Sequence, residues 1–199
     1  MDFGYRERRE GVFQQILYEW PILVIEVVIA ILLAFLFARF GVEKTTVSGV
    51  SMTPVLEEQD TILINRMAYK ILSPRRNDVI VYQKQEKEHS YYCVQRVVAC
   101  PGDTVQIKDG VLYVNGKKEK KKHTPMLTAG IAEEKITLSK GEYFVLGDNR
   151  NQSEDSRYSS VGMLTKKNIV GKAWLRLRPK FGLVSWISYN TKEKQEEME

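Results

Sequence analysis

The sequence predicts a mostly β domain behind a single N-terminal transmembrane helix. Three observations carry this: one long apolar run near the N-terminus, a succession of short β-branched runs after it, and Gly, Asn, Asp and Pro turn signals between those runs. At 199 residues the chain can hold one domain with a real core plus an accessory segment.

Residues 20–40 read WPILVIEVVIAILLAFLFARF. From Ile22 to Ala38 every residue is apolar except Glu26, and the flanks extend the run to the roughly 20 residues a bilayer requires. Trp20 suits one interface and Arg39 can snorkel to the other. A cleaved leader would have a shorter core of about 7–15 residues and a small-x-small site behind it, which is not evident here. Glu26 is expensive in lipid, so it should lie near the interface, be protonated or face a partner helix. Arg6, Arg8 and Arg9 precede the run, against Arg39 and Lys44 after it, which favours a cytoplasmic N-terminus. Residues 1–19 are therefore read as a cytoplasmic segment and 20–40 as the anchor. Residues 41–190 form an extracytoplasmic β domain and 191–199 a charged, disordered tail. The expected location is the plasma membrane, single-pass.

Lys+Arg number 30 against 25 Asp+Glu, a net +5. The stretch Lys117, Lys118, Glu119, Lys120, Lys121, Lys122 supplies +4 of that by itself, so the remainder is near neutral. A broad basic face for nucleic acid is not expected, and the lipid membrane is the expected surface partner. Two cysteines, Cys93 and Cys100, make no disulfide framework, and two histidines, His89 and His123, leave little for a zinc site. Neither a metal nor a cofactor is expected.

After the anchor, strands are predicted at Thr61–Asn65, Asp78–Tyr82, Tyr91–Val98, Thr104–Ile107, Val111–Val114, Ile136–Leu138, Glu142–Leu146 and Ala173–Leu177. Pro101-Gly102-Asp103, Asp109-Gly110, Asn115-Gly116 and Gly147-Asp148-Asn149 punctuate them, and Lys108 to Gly116 reads as a hairpin meander. Lys117 to Glu134 reads as a solvated loop.

Three polar stretches can carry chemistry. Ser48-Gly49-Val50-Ser51-Met52-Thr53-Pro54 presents a serine in a turn, without the second Gly of a nucleophile elbow. Gln95 to Asp103 is a strand running into a tight turn. Gly147 to Arg157, GDNRNQSEDSR, is dense in side chains able to orient one another, although a polar loop held by Asx turns has the same composition.

In this order behind one anchor, the three stretches resemble bacterial type I signal peptidases, membrane-bound serine endopeptidases that remove signal peptides from exported pre-proteins. Ser51-Met52-Thr53-Pro54-Val55 is similar to the family's S-M-x-P-T box, with Val for Thr. Gly147–Arg157 matches G-D-N-R-x-x-S-x-D-S-R throughout, and Asn77-Asp78-Val79-Ile80-Val81 resembles G-D-[IV]-V-V with Asn for Gly. The resemblance implies a signal-peptidase-like β catalytic domain close to the outer membrane face, a Ser/Lys dyad, and cleavage after small-x-small sites. It implies Ser51 as nucleophile and the Ser51 N–H, with Gly49 beside it, as the oxyanion hole. It further implies Ser153 as the hydrogen-bond partner of the dyad lysine, an Asp155–Arg157 ion pair, and Asp148 and Asn149 buttressing the same loop.

One position departs from the pattern. The family's K-R-[VI]-[IV]-G-x-P-G-D box carries the general base as its lysine. Here it reads Gln95-Arg96-Val97-Val98-Ala99-Cys100-Pro101-Gly102-Asp103, with Gln95 in the base position. A dyad lysine works because burial keeps its amine neutral. A glutamine amide accepts a hydrogen bond but takes no proton at neutral pH. Arg96 points to the opposite face of the strand and stays charged. His89 is six residues, about 20 Å, along the strand, and Lys84 and Lys87 need a folded-back loop to come near. His123 lies in the lysine-rich segment. In one serine protease, loss of the base costs about 10⁶-fold in kcat. The chain as written is therefore expected to be impaired or non-catalytic. The alternative is an active signal peptidase I using Ser51 and a substitute base.

Overall fold

The structure is a computed structural model that describes residues 20–35, 39, 41–86, 89–120 and 123–184. It divides into two compact units, Met1–Gly41 and Val42–Glu199. In the first, residues 20–35 form helix α1, apolar and exposed on every side apart from Glu26. No helix among the described residues is long and apolar enough to cross a membrane. The expected anchor runs on through 36–38 and 40, which lie outside the described residues, as do the cytoplasmic segment and the tail.

The second unit is mostly β. Its strands are β1 (Val42–Thr46), β2 (Thr61–Asn65), β3 (Val79–Glu86), β4 (His89–Ala99), β5 (Thr104–Lys108), β6 (Val111–Val114) and β7 (Lys117–Lys118). They continue with β8 (Ile136–Thr137), β9 (Glu142–Leu146), β10 (Leu164–Thr165), β11 (Ile169–Arg178) and β12 (Gly182–Leu183). A short helix, α2 (Ala68–Ile71), follows β2. The larger sheet has eight strands in the order β1-β2-β11-β3-β4-β9-β10, with β12 on β11; the smaller has four, β7-β6-β5-β8. All pairings are antiparallel.

The unbroken apolar run Val79-Ile80-Val81-Tyr82 has a direct cause: β3 is buried on both faces. Val79 and Val81 join Met52, Leu56, Ile62, Ile64 and Val94 in one core, whereas Ile80 and Tyr82 join Tyr69, Val97, Tyr143 and Val145 on the other side. A third core, with Val105, Ile107, Leu112, Phe144 and Leu146, fills the space against the small sheet.

Two expectations change here. Lys117 to Glu134 is not simply a solvated loop: it contains β7, a 3₁₀ turn at Gly130–Ala132, and buried Met126 and Ala132 that complete the third core. Strand β1 has no counterpart in the sequence reading because Val-Glu-Lys-Thr-Thr carries too few apolar residues to alternate clearly. Its register against β2, Val42↔Asn65 through Thr46↔Thr61, is that of a sheet edge.

Candidate active site

Ser51 sits in the turn after β1, and its neighbours fix it. Met52, Val55 and Leu56 are each at most 1% exposed and anchor the turn in the first core. Thr53 closes the turn, its N–H and Oγ1 both donating to Val50 O at 3.2 and 2.9 Å. Gly49 takes φ +84°, a left-handed conformation that any side chain would strain. Ser51 itself is half-buried.

The Gly147–Arg157 segment leaves β9 and folds against this turn. Asn149 N–H donates to Ser51 O at 2.9 Å, and Asn149 Nδ2 donates to Thr53 Oγ1 at 2.9 Å and to Val50 O at 3.3 Å. Gly147 has no room for a Cβ, which would come within 2.5 Å of Ser51 O and closer still to the Ser153 hydroxyl. The loop is held from below by the buried Asp155–Arg157 pair, Nε to Oδ1 at 2.8 Å and Nη2 to Oδ2 at 2.9 Å. Asp155 Oδ2 also accepts the Gly147 N–H at 3.2 Å, and Arg157 Nη2 donates to Arg150 O at 2.5 Å. Among the described residues Arg157 is the largest fully buried side chain. Such a bidentate pair fixes geometry as much as it stabilises.

Strand β4 supplies two side chains on opposite faces. Arg96 reaches Asp148 through two bonds, 2.7 and 2.6 Å, and donates to Asn77 O at 2.9 Å. Asn77 has φ +72°, which explains why Asn can occupy the glycine position of its box: after Gly it is among the residues best tolerated there. On the other face, Gln95 pairs with Ile80 across the sheet and is 2% exposed. Its Nε2 donates to the backbone carbonyl of Glu154 and lies 3.5 Å from Ser153 Oγ. Its Oε1 is buried without a partner. The structure thus gathers Ser51, Gly49, Gln95, Asp148, Asn149, Ser153, Asp155 and Arg157 around one loop.

The sequence reading weighed Lys84 only as a substitute base that a folded-back loop would have to bring near. The β3–β4 hairpin folds back at Glu86↔His89 and returns Lys84 to the Gln95 face, where its Nζ bonds Glu154 Oε1 at 2.6 Å. The even spacing of Ile80, Tyr82 and Lys84 puts all three on one face of β3. The hydrogen bond from Lys84, and next that from Ser160, holds the Glu154 carboxyl below its ordinary range. The side chains of Lys87 and His89 lie outside the described residues. His123 belongs to a different cluster, its Nε2 lying 3.1 Å from Arg150 Nη2 and 3.7 Å from Glu119. Among the described residues no group of His, Cys, Asp and Glu could hold a metal, and neither Cys93 nor Cys100 is in a disulfide.

A serine turn is thus braced by a polar loop over a β sheet. Comparison gives its family. Residues 20–178 match the family described as signal peptidase, peptidase S26. The chain is 34% identical over 164 residues to signal peptidase I of Bacillus licheniformis, covering 78% of this chain and 85% of that one. It is 36% identical over 154 residues to signal peptidase I T of Bacillus subtilis, covering 73% and 78%. It is 33% identical over 180 residues to signal peptidase IB of Staphylococcus aureus, covering 82% and 90%. A crystal structure of a signal peptidase I from Enterococcus faecalis covers 51% of this chain and 97% of its own at 27% identity, with a TM-score of 0.41. The chain belongs to the signal peptidase I family.

Proposed function

We propose that this chain is a membrane-anchored relative that binds signal peptides of exported pre-proteins at the outer membrane face and has lost most or all of the proteolytic step. The observation that carries the reading is Gln95. The residue is 2% exposed and its amide nitrogen lies 3.5 Å from Ser153 Oγ, which supports reading it as the family's lysine position, and an amide cannot take the Ser51 proton. Ser51 retains the nucleophile position, with its N–H and Gly49 available to an oxyanion, and the closing loop retains every oriented partner. Such a site can still receive a peptide carbonyl while lacking a base to start the attack.

The anchor reading rests on α1, whose apolar residues run around the whole helix, and on the arginines preceding it. The second reading, an active enzyme with a substitute base, is favoured by Lys84 alone, the amine that the hairpin returns to the Gln95 face. It is weakened by the Glu154 carboxylate on that amine, since a nearby anion favours the charged ammonium.

Cleavage of a pre-protein in detergent micelles, by this chain beside its Ser51→Ala variant, tests the reading. Retained binding without serine-dependent cleavage is the expected result; serine-dependent turnover at an ordinary rate overturns it.

A further inference from the structure

Away from Ser51, a cleft of about 680 Å³ opens between α2 and the β10–β11 turn. Arg66, Lys70, Lys166 and Lys167 line it together with Tyr69 and Tyr92, and no carboxylate lines it among the described residues. Arg66 is partly neutralised by Glu43 at 3.0 Å. Lys70, Lys166 and Lys167 are exposed and carry no ion pair among the described residues, so three positive charges face the same opening uncompensated. Such a cleft concentrates an anion.

Two further observations select the kind of anion. Immediately after Lys70, Ile71 and Leu72 are 81% and 55% exposed, two aliphatic side chains held out into solvent beside the cationic opening. A soluble phosphate would not require them, whereas a lipid presents a charged headgroup above acyl chains and would engage both features. The strand register also places this end of the sheet level with the start of the β domain. Asn65, next to Arg66, pairs with Val42, the first residue of β1.

We propose that this cleft is a docking site for the headgroup of an anionic phospholipid, with Lys70, Lys166 and Lys167 holding the phosphate and Ile71 and Leu72 entering the acyl boundary. The proposal rests on the membrane-anchored reading, because only an anchored chain brings the cleft to a lipid surface. It adds a site that neither the serine turn nor α1 contains.

The test uses the full chain in non-ionic detergent, titrated with dioctanoyl phosphatidylglycerol, dioctanoyl phosphatidylcholine and inorganic phosphate, with bound ligand counted by native mass spectrometry. Phosphatidylglycerol should bind at least tenfold more tightly than phosphatidylcholine. Lys166→Gln with Lys167→Gln, on an exposed turn, should weaken it about 25-fold, a factor of about five per lysine. Ile71→Ser with Leu72→Ser should weaken the lipid but leave any inorganic phosphate binding unchanged. Unchanged phosphatidylglycerol binding in the lysine variant, equal binding of the two lipids, or phosphate bound as tightly as phosphatidylglycerol would each overturn the proposal. An unchanged thermal midpoint in both variants shows that the fold is intact. Whether the chain is anchored is read separately, by alkaline extraction of membranes, so a failed anchor and a failed headgroup site give different results.

Discussion

Gln95 Nε2 lies 3.5 Å from Ser153 Oγ on the buried face of β4, with the Glu154 carbonyl as its second acceptor. On the reading proposed above this is the base position, where an amide stands in polar surroundings suited to an amine. The first prediction follows from that substitution. In Gln95→Lys, the new ammonium would enter a site only 2% exposed, on the face that also carries Lys84. Burial and a neighbouring like charge both favour the neutral amine, the form a general base requires. Since losing a base costs about 10⁶-fold in a comparable hydrolase, restoring one should raise cleavage of a small-x-small pre-protein by about 10³-fold or more. The gain should vanish when Ser51→Ala is added. A Gln95→Lys chain no faster than the parent would show that something other than the base limits the reaction.

Much of this site was legible because its residues are close in sequence. The closing loop holds Asp148, Asn149, Ser153, Asp155 and Arg157 within one turn-rich stretch, so an eleven-residue pattern exposes them together. Strands with both faces buried, such as Val79–Tyr82, were also legible, since their apolar runs are continuous. Edge strand β1 was not, because its burial alternates only weakly. Nor was the Lys84–Glu154 pair, which joins residues 70 apart through a hairpin whose register no local signal specifies. The buried Met126 and Ala132 were hidden by the lysines before them, whose charge dominates the composition of that segment.

Asp155 and Arg157 should prove structural before they prove catalytic. Both are at most 1% exposed, and Arg157 also donates to the carbonyls of Arg150 and Thr128. Arg157→Ala leaves a buried carboxylate without its cation and frees two carbonyls, a loss of about 3–5 kcal/mol. Urea unfolding should show the midpoint falling by that equivalent, with the Ser51→Ala chain unaffected by comparison. A small shift for Arg157→Ala would mean that the pair is weakly coupled to the fold.

The Lys84–Glu154 bond gives a pH signature of definite sign. Because the folded carboxyl titrates below its ordinary value of 4.5, the bond stabilises the protein above that pH and is lost as pH falls through the folded value. Glu154 is 51% exposed, so solvent screening limits the contribution to less than about 1 kcal/mol. Glu154→Gln should therefore be slightly less stable than the parent at pH 7, and the two unfolding midpoints should converge below pH 4. A difference that persists at pH 3 would assign the loss to packing or to the Ser160 bond instead.

The proposed anchor makes a prediction that the β domain cannot influence. The apolar residues of α1 from Ile22 to Phe35 face every direction, a pattern that a helix lying on a protein surface does not need. Membranes carrying the full chain, washed with alkaline carbonate, should retain it in the pellet. Replacing Leu32 and Leu33 with Lys places two charges inside the expected hydrocarbon layer, costing about 2.5–3.5 kcal/mol each on an insertion scale. That variant should move to the supernatant. Release of the parent chain by carbonate would remove the anchor, and with it the reason for the β domain to meet its peptides at a membrane face.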